Sequence, residues 1–233
     1  MMARHRIALC GLLLLAGWNG SARAQDVPAA VSPPAAPVPN VPQPRPETVL
    51  VTLETSEGPI VLELEKGRAP VTTANFLRYV DQKLFNGAAF YRALNMAEDF
   101  GLVQAGLTEL KPGQKLPPPI AHEPTVLTGL RHQTGTVSMA RREPGTARSD
   151  FFITVGEMSS LDAHPDQPGD NSGFAAFGRV VDGMNVVMKI MRAPISPTLG
   201  EKEGMKGQML AAPVRILSAR RTPKGAGAPQ PGS

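Results

Sequence analysis

The segment VLVTLETSEGPIVLEL at residues 49–64 decides the fold. Within it, Leu50–Leu53 and Ile60–Leu64 alternate apolar and polar residues on either side of Ser56-Glu57-Gly58. Alternation puts the apolar side chains on one face of a strand, and a short turn that contains glycine joins two antiparallel strands. The pattern therefore predicts a β-hairpin with one buried face.

Working outward, the chain continues as short strands interrupted by two helices. Residues 71–82 change to helical spacing behind Pro70, which suits the first turn of a helix, and residues 184–192 form a second helix that stops before Pro194. Strand-like runs bounded by turn residues lie at residues 89–94, 102–104, 135–139, 151–155, 175–181 and 214–219. Many short strands with two helices predict a mainly β, closed structure with helical plugs. The spacing of the strands alone does not distinguish a barrel from a sandwich.

An arginine among aromatic residues marks the candidate site. The motifs follow in the order Phe90-Tyr91-Arg92, Val103-Gln104-Ala105-Gly106, Ser138-Met139-Ala140, Asp150-Phe151-Phe152-Ile153-Thr154 and Phe174-Ala175-Ala176-Phe177-Gly178. A cation, an amide and several apolar rings recur, and no serine, cysteine or carboxylate stands out as a nucleophile. Such a set can bind a peptide and polarise one bond without a covalent intermediate.

These motifs, in this order, resemble those of the cyclophilins, a family of peptidyl-prolyl cis-trans isomerases. The resemblance opens with residues 49–64, continues through APVTTANFL at residues 69–77, and includes FGRVVDGM at residues 177–184. It covers residues 48–221, which we interpret as one isomerase domain. It implies an eight-stranded antiparallel β-barrel capped by two α-helices, and an activity that needs no cofactor and no metal.

The resemblance implies three catalytic residues, Arg92, Gln104 and Phe152. Arg92 would point an N–H at the prolyl nitrogen, since an arginine is always charged and its donors form a rigid fork. Gln104 would bind the substrate backbone and steady the arginine, and Phe152 would form the floor of the proline slot. Strand alternation predicts that Phe90 shares a face with Arg92.

The remaining predicted substrate-binding residues form the walls and edge of the slot. They are Phe90, Phe100, Leu102, Ala140, Arg141, Leu161 and Phe174. Along the edge made by Ala140 and the backbone of Arg141, recognition would use main-chain groups, so we expect loose selectivity around the proline.

Three departures from the family pattern affect these expectations. The loop Asn95–Gly101 is longer than usual, which leaves the position of Phe100 open. Ser160 stands in the place of the frequent pocket tryptophan, so we expect weak binding of cyclosporin. Phe174 replaces a common histidine, and Asp150 replaces a common glutamine, from where it could pair with Arg92 and compete with substrate.

The ends of the chain predict export. Residues 1–24 read as a signal peptide, with a positive start, a short apolar run and the small-x-small site Ala22-Arg23-Ala24. Residues 25–47 are a Pro/Ala-rich linker, and residues 222–233 a Gly/Pro/Ala-rich tail, both expected to be disordered. The periplasm of a Gram-negative bacterium fits these features better than the medium.

The charge balance of the chain without its leader bears on the class of partner. Of 24 basic residues, Arg4, Arg6 and Arg23 lie in the leader, which leaves 21 against 20 acidic residues. Because basic and acidic residues are nearly equal in number, the charge does not favour nucleic acid or an anionic membrane as a partner. We expect proline-containing polypeptides as substrates, a monomer, and no membrane span after the leader is removed.

Several alternatives stay open at this point. The same fold could serve as a non-catalytic peptide-binding module or holdase, or as an envelope scaffold held through residues 25–46. His122-Glu123 and the Asp162–Asp166 stretch lack the spacing of zinc ligands, so we expect no metal. A serine hydrolase built on Ser138 or Ser149 is disfavoured because no G-x-S-x-G motif is present.

Overall fold

The computed structural model describes residues 47–108, 110, 113–202 and 204–223. In these residues, eight strands carry most of the chain: β1 Val49–Thr55, β2 Gly58–Leu64, β3 Ala89–Ala97, β4 Phe100–Gly106, β5 Thr136–Met139, β6 Phe151–Val155, β7 Ala175–Asp182 and β8 Met209–Thr222. Three helices accompany them: α1 Pro70–Asp81, α2 Thr125–Thr128 and α3 Met184–Met191. One further turn of 3₁₀ helix lies at Ser159–Leu161.

The eight strands close into an antiparallel barrel. Their order around the barrel is β1-β2-β7-β5-β6-β4-β3-β8, and β8 pairs again with β1. The predicted mainly β fold with a closed eight-stranded antiparallel barrel is thus confirmed. Some elements differ from the prediction: β8 begins at Met209, five residues earlier than expected, β3 and β4 extend to Ala97 and from Phe100, and the short helix α2 was not expected.

The β1–β2 hairpin forms as its sequence predicts. Val49 faces Leu64 at one end of the pair and Thr55 faces Gly58 at the other. The Thr55 hydroxyl donates to the Gly58 carbonyl at 2.6 Å and accepts from the Glu57 N–H at 3.1 Å, which closes the turn. Gly58 has φ +125°, a backbone conformation that other residues rarely adopt.

Aromatic rings fill the barrel under helix α1. Phe76 of α1 lies 4.9 Å from Phe85, 5.2 Å from Phe151 and 5.3 Å from Phe177, measured between ring centroids. All four rings are almost completely buried. This packing places β6 with Phe151 in the core, so the neighbouring Phe152 faces the other side of the strand.

A remote carboxylate caps helix α1. The helix begins at Pro70 without a side-chain cap of its own. Glu123 instead accepts hydrogen bonds from the N–H groups of Val71 and Thr72, at 3.1 and 2.7 Å, and from the Thr72 hydroxyl at 2.6 Å. A buried carboxylate at a helix N-terminus is stabilised by the unpaired N–H groups and by the helix dipole.

Other predictions about the chain ends fall largely outside the described residues. The signal peptide at residues 1–24, almost all of the linker at residues 25–47 and most of the tail at residues 222–233 lie there. In the part of the chain that is described, none of the helices is both long and apolar enough to cross a bilayer.

Candidate active site

A β-bulge sets the position of Arg92 on strand β3. Phe90 pairs with Ala105 of β4, and Arg92 pairs with the adjacent Gln104. Two steps along β3 thus correspond to one step along β4, and Tyr91 is the extra residue. Such a bulge interrupts the alternation of side chains along a strand. Arg92 therefore points out of the barrel, beside Gln104.

The bulge also corrects the prediction for Phe90. We expected Phe90 on the same face as Arg92, in contact with substrate. It lies instead in the barrel core, fully buried, with its ring centroid 5.9 Å from that of Phe151. The extra residue at Tyr91 sends Phe90 and Arg92 to opposite faces of β3.

Two amide oxygens hold the guanidinium of Arg92. Nη1 donates to Gln104 Oε1 at 2.7 Å, while Nε and Nη2 both donate to Gln208 Oε1, at 2.8 and 2.5 Å. Burial lowers the pKa of Arg92, but the ordinary pKa of an arginine lies so far above neutral that the side chain stays cationic. Because both of these acceptors are neutral, neither of them offsets the positive charge that it holds in place.

Asp150 is linked to Arg92 only indirectly, through the side chains of Tyr91 and Gln104. Its Oδ1 accepts from the Tyr91 hydroxyl at 2.7 Å, and that hydroxyl accepts from Gln104 Nε2 at 2.6 Å. The carboxylate also accepts from the Ser149 hydroxyl at 2.9 Å. In this structure Asp150 therefore bonds Tyr91 rather than Arg92, the partner that the sequence had left open.

The surroundings of Asp150 explain why the carboxylate fits there. A Cβ on Gly106 would lie only 2.3 Å from Asp150 Oδ1, so the carboxylate occupies space that any other residue at this position would fill. Burial, and then the nearby charge of Asp150, raise the pKa of the Tyr91 hydroxyl, which consequently stays protonated and can donate. The tyrosine proton thus fixes the direction of the whole chain of hydrogen bonds.

Apolar side chains form a second, smaller cluster beside the arginine, separate from the barrel core. Leu102, Phe152 and Met158 are its buried members, and Leu94, Phe100, Ala140, Leu161 and Phe174 pack against it. The rings of Phe152 and Phe174 meet edge to face, with centroids 5.4 Å apart. This cluster provides the kind of apolar slot that a proline ring needs.

A fully buried histidine lies behind Phe152. The rings of His132 and Phe152 are nearly parallel, at 16°, with centroids 5.9 Å apart. His132 Nδ1 lies 2.7 Å from Asp162 Oδ1 and Nε2 lies 2.9 Å from Ser138 Oγ. Since a carboxylate only accepts, Nδ1 carries the proton and Nε2 accepts from the serine hydroxyl. Burial lowers the pKa of His132 below its ordinary value, partly offset by Asp162, so the ring is neutral near pH 7.

The sequence Asp162–His132–Ser138 of hydrogen-bonded groups resembles that of a serine hydrolase, but Ser138 is fully buried. A nucleophile must contact its substrate, and this hydroxyl has no exposed surface. The other serine considered, Ser149, is also buried and donates to Asp150 rather than to a histidine. In the described residues, no three potential metal-ligating side chains gather either.

Arg141 supports the far wall of the groove. Its side chain is only 6% exposed, and its Cζ lies 5.2 Å from the centroid of the Phe174 ring. Its Nε and Nη2 donate to the Gly173 carbonyl at 2.8 and 2.6 Å, and Nη1 donates to Asp170 at 2.9 Å. The hydrogen bond from Arg141, with one from the Ser172 backbone, lowers the pKa of Asp170 to about 2.

The predicted residues meet in one groove of about 380 Å³. Eight of the ten line it: Arg92, Gln104, Phe152, Leu102, Ala140, Arg141, Leu161 and Phe174. Phe100, whose position the sequence left open, is not a lining residue. It packs against the apolar cluster next to Gly156, because the expected loop Asn95–Gly101 is in fact a hairpin in which β3 runs to Ala97 and β4 starts at Phe100.

Several groove residues were missed by the sequence analysis. They are Leu94, Met96, Met158, Met205 and, as a partner of Arg92, Gln208. Leu94 and Met96 follow Arg92 at alternate positions on β3, a spacing that could have suggested them. Met205 and Gln208 come from a region more than 100 residues away in sequence, and no local pattern marks them.

Comparisons with known proteins agree with the fold. The family model described as cyclophilin type peptidyl-prolyl cis-trans isomerase/CLD matches residues 50–221. A peptidyl-prolyl cis-trans isomerase of Acinetobacter baylyi is 35% identical over 173 residues, which is 73% of this chain and 84% of that protein. Peptidyl-prolyl cis-trans isomerase A of Dickeya dadantii is 36% identical over 171 residues, covering 73% of this chain and 83% of its own length.

Solved structures share the architecture at lower sequence identity. A cyclophilin type peptidyl-prolyl cis-trans isomerase of Cryptosporidium parvum has a TM-score of 0.59 at 19% identity, over 76% of this chain and 99% of that chain. The same protein solved in the presence of the dipeptide Ala-Pro has a TM-score of 0.58 at 20% identity, over 75% of this chain. At such identities the likeness concerns the fold.

Proposed function

The chain belongs to the cyclophilin type peptidyl-prolyl cis-trans isomerase family, and from this premise we propose that Arg92 drives X–Pro rotation in exported polypeptides. The observation that carries the proposal is the Arg92 guanidinium, which two neutral amides hold in the groove that Phe152 also lines. The cation draws electron density from the prolyl nitrogen and so weakens the amide resonance. No covalent intermediate forms.

The barrier to be lowered is that of amide rotation. It amounts to about 18–20 kcal/mol, because the nitrogen lone pair is delocalised into the carbonyl. The bonds to Gln104 and Gln208 use three of the five N–H groups of Arg92, which leaves one N–H on each terminal nitrogen. Either of these can donate to a prolyl nitrogen seated in the groove, and the shielded position of Arg92 strengthens that interaction.

The proline ring would occupy the apolar slot of the groove. Phe152 forms its floor, Leu102 and Leu161 form its walls, and Ala140 lies along the edge where the peptide backbone would run. Recognition along that edge would use main-chain groups more than particular side chains. Selectivity for the residues that flank the proline is therefore expected to be broad.

The decisive test is a protease-coupled isomerisation assay on a proline tetrapeptide. Wild type should be active, and Arg92→Ala should lower kcat/KM by roughly 10- to 150-fold, the equivalent of losing one hydrogen bond from a charged donor. Arg220→Ala is a matched control, because Arg220 is an exposed arginine whose partner is Glu54, on the outside of the barrel. That variant should keep wild-type kcat/KM.

The assay also separates catalysis from simple peptide binding. If wild type is inert yet holds unfolded chains in solution, the groove serves a binding module or holdase, and the catalytic proposal fails. If Arg92→Ala matches wild type while both are active, the fold is an isomerase but the arginine mechanism is wrong.

Export is part of the same proposal. It rests on the leader pattern of residues 1–24, and the periplasm is the expected compartment. N-terminal sequencing of the protein recovered from periplasmic extract should begin at Gln25, and cytoplasmic recovery with an intact Met1 would contradict export. Deleting residues 25–46 should leave kcat/KM unchanged; if it abolishes localisation instead, these residues act as an envelope anchor.

A further inference from the structure

Gln208 makes two contacts to Arg92 that neither the motifs nor the comparisons assign a role. We propose that Gln208 is a positioning residue, which keeps the Arg92 guanidinium turned toward the groove without neutralising its charge. This inference rests on the proposed function of Arg92. It adds a second amide, from a distant segment of the chain, to the one supplied by Gln104.

Backbone hydrogen bonds tie Gln208 to the strand that carries Arg92. The Gln208 carbonyl accepts from the N–H of Ala93, the residue after Arg92, at 2.8 Å. The Gln208 N–H donates to the Met205 carbonyl at 3.0 Å, and the next residue, Met209, pairs with Arg92 across the β3–β8 ladder. The backbone of Gln208 is therefore fixed relative to that of Arg92.

The segment before Gln208 is itself held in place. Ser196 donates its N–H to the Met209 carbonyl at 2.8 Å, and Ile195 forms an isolated bridge with Leu210. Met205 donates its N–H to the Gly200 carbonyl at 2.7 Å. The first two contacts fasten the start of the segment to strand β8, and the third closes a turn a few residues before Gln208.

The two glutamines restrain the guanidinium in different ways. Gln104 accepts one bond from Nη1, and a single bond still allows rotation of the guanidinium plane. Gln208 Oε1 accepts from Nε and Nη2 together, and two donors converging on one oxygen fix that plane. With both amides in place, the remaining N–H of each terminal nitrogen keeps a defined direction.

The neutrality of the amide matters as much as its geometry. A carboxylate at position 208 could accept the same two bonds, but it would form an ion pair with Arg92 and offset the field that acts on the prolyl nitrogen. A leucine of similar size would keep the packing and remove the bonds. Gln208→Leu therefore tests whether the two hydrogen bonds to Arg92 matter. Gln208→Glu tests whether the neutrality of the group that accepts them matters.

The test combines kinetics with NMR of the arginine side chain. In the protease-coupled assay, Gln208→Leu should lower kcat about 5- to 10-fold with little change in KM, because the prolyl slot is untouched. Gln208→Glu should lower kcat at least tenfold. Hydrogen exchange of the Arg92 Nε–H, assigned by its loss in Arg92→Ala, should accelerate in Gln208→Leu and stay slow in Gln208→Glu.

An exposed glutamine provides the control. Gln133→Leu, at a position that does not line the groove, should match wild type in both measurements. The inference is overturned if Gln208→Leu retains wild-type kcat and slow Nε–H exchange, or if Gln208→Glu is as active as wild type. Should wild type prove inactive, the proposed function fails by itself, and Nε–H exchange still decides whether Gln208 holds Arg92.

Discussion

Replacing Tyr91 by phenylalanine tests whether hydrogen bonds behind the groove orient the residues in it. The Tyr91 hydroxyl accepts from Gln104 Nε2 at 2.6 Å and donates to Asp150 Oδ1 at 2.7 Å. Removing one oxygen atom breaks both bonds and leaves the ring in place. The amide of Gln104 then loses the contact that keeps its carbonyl, rather than its NH₂, facing Arg92.

The size of the effect follows from burial. Gln104 is only 7% exposed, so its NH₂ loses a partner where water replaces it poorly, and an unsatisfied buried group costs about 1–3 kcal/mol. Asp150 keeps the Ser149 hydroxyl, which moderates the loss at that end. We expect the free energy of unfolding to fall by about 1–2 kcal/mol. Each kcal/mol lost should lower Tm by about 2–4 °C.

The effect on activity should be smaller than that of losing the cation. Arg92 keeps its charge and both bonds to Gln208, and only its bond to Gln104 becomes disordered. Weakening one bond by about 1 kcal/mol corresponds to roughly a fivefold drop in kcat/KM. The protease-coupled assay and urea denaturation measure the two effects on the same protein.

Tyr79 offers a matched control for the loss of a buried hydroxyl. Its ring is fully buried against Phe85, and its hydroxyl has no hydrogen-bond partner among the described residues. Tyr79→Phe should therefore be neutral or slightly stabilising, with unchanged kcat/KM. If Tyr91→Phe and Tyr79→Phe behave alike in both assays, the hydrogen-bond chain through Tyr91 does not orient Gln104, and the reasoning fails.

Three further perturbations probe other parts of the structure. Glu123→Gln removes the charge that caps helix α1, so urea denaturation should show a loss of about 1–2 kcal/mol while kcat/KM stays at the wild-type value; equal stability would contradict the cap. His132 has a folded pKa below 6.5, so the unfolded chain takes up its proton first, and the free energy of unfolding should fall by up to about 1.4 kcal/mol per pH unit as pH drops below 6.5. His132→Asn should lose that part of the pH dependence, which urea titrations at pH 7.5 and 5.5 would reveal. Calorimetry should find weak cyclosporin binding, because the exposed Ser160 lines the groove where the family often has tryptophan, and a tight complex would refute this.

Much of the fold was predictable because its signals are local. The alternation in residues 49–64 and the turn around Ser56-Glu57-Gly58 need only neighbouring residues, and the hairpin forms where it was expected. Helix α1, expected over residues 71–82, spans Pro70–Asp81 for the same reason. The closed barrel needed the family resemblance as well, since short strands alone do not state which edges pair.

The errors and gaps arose where position depends on non-local contacts. Phe90 was misplaced because strict alternation was assumed, and the bulge at Tyr91 depends on how β3 pairs with β4. The Asn95–Gly101 segment was taken for a loop, although its two halves pair as the tip of the β3–β4 hairpin. Gln208 could not be found at all, because it meets Arg92 only after β8 has closed the barrel against β3.

The charges around Arg92 follow a consistent arrangement. Under the proposed mechanism the Arg92 cation has to be held firmly, and a bidentate carboxylate, the strongest partner for an arginine, would also offset its field. Among the described residues, the side chains that accept hydrogen bonds from Arg92 are two amides, while the nearby carboxylate of Asp150 is bound to Tyr91. Tyr91 therefore separates the acid from the arginine, and it transmits the orienting effect of Asp150 through Gln104 without bringing the negative charge into contact. At position 150, where the family resemblance led us to expect glutamine, the carboxylate is bound by the neighbouring tyrosine rather than by Arg92.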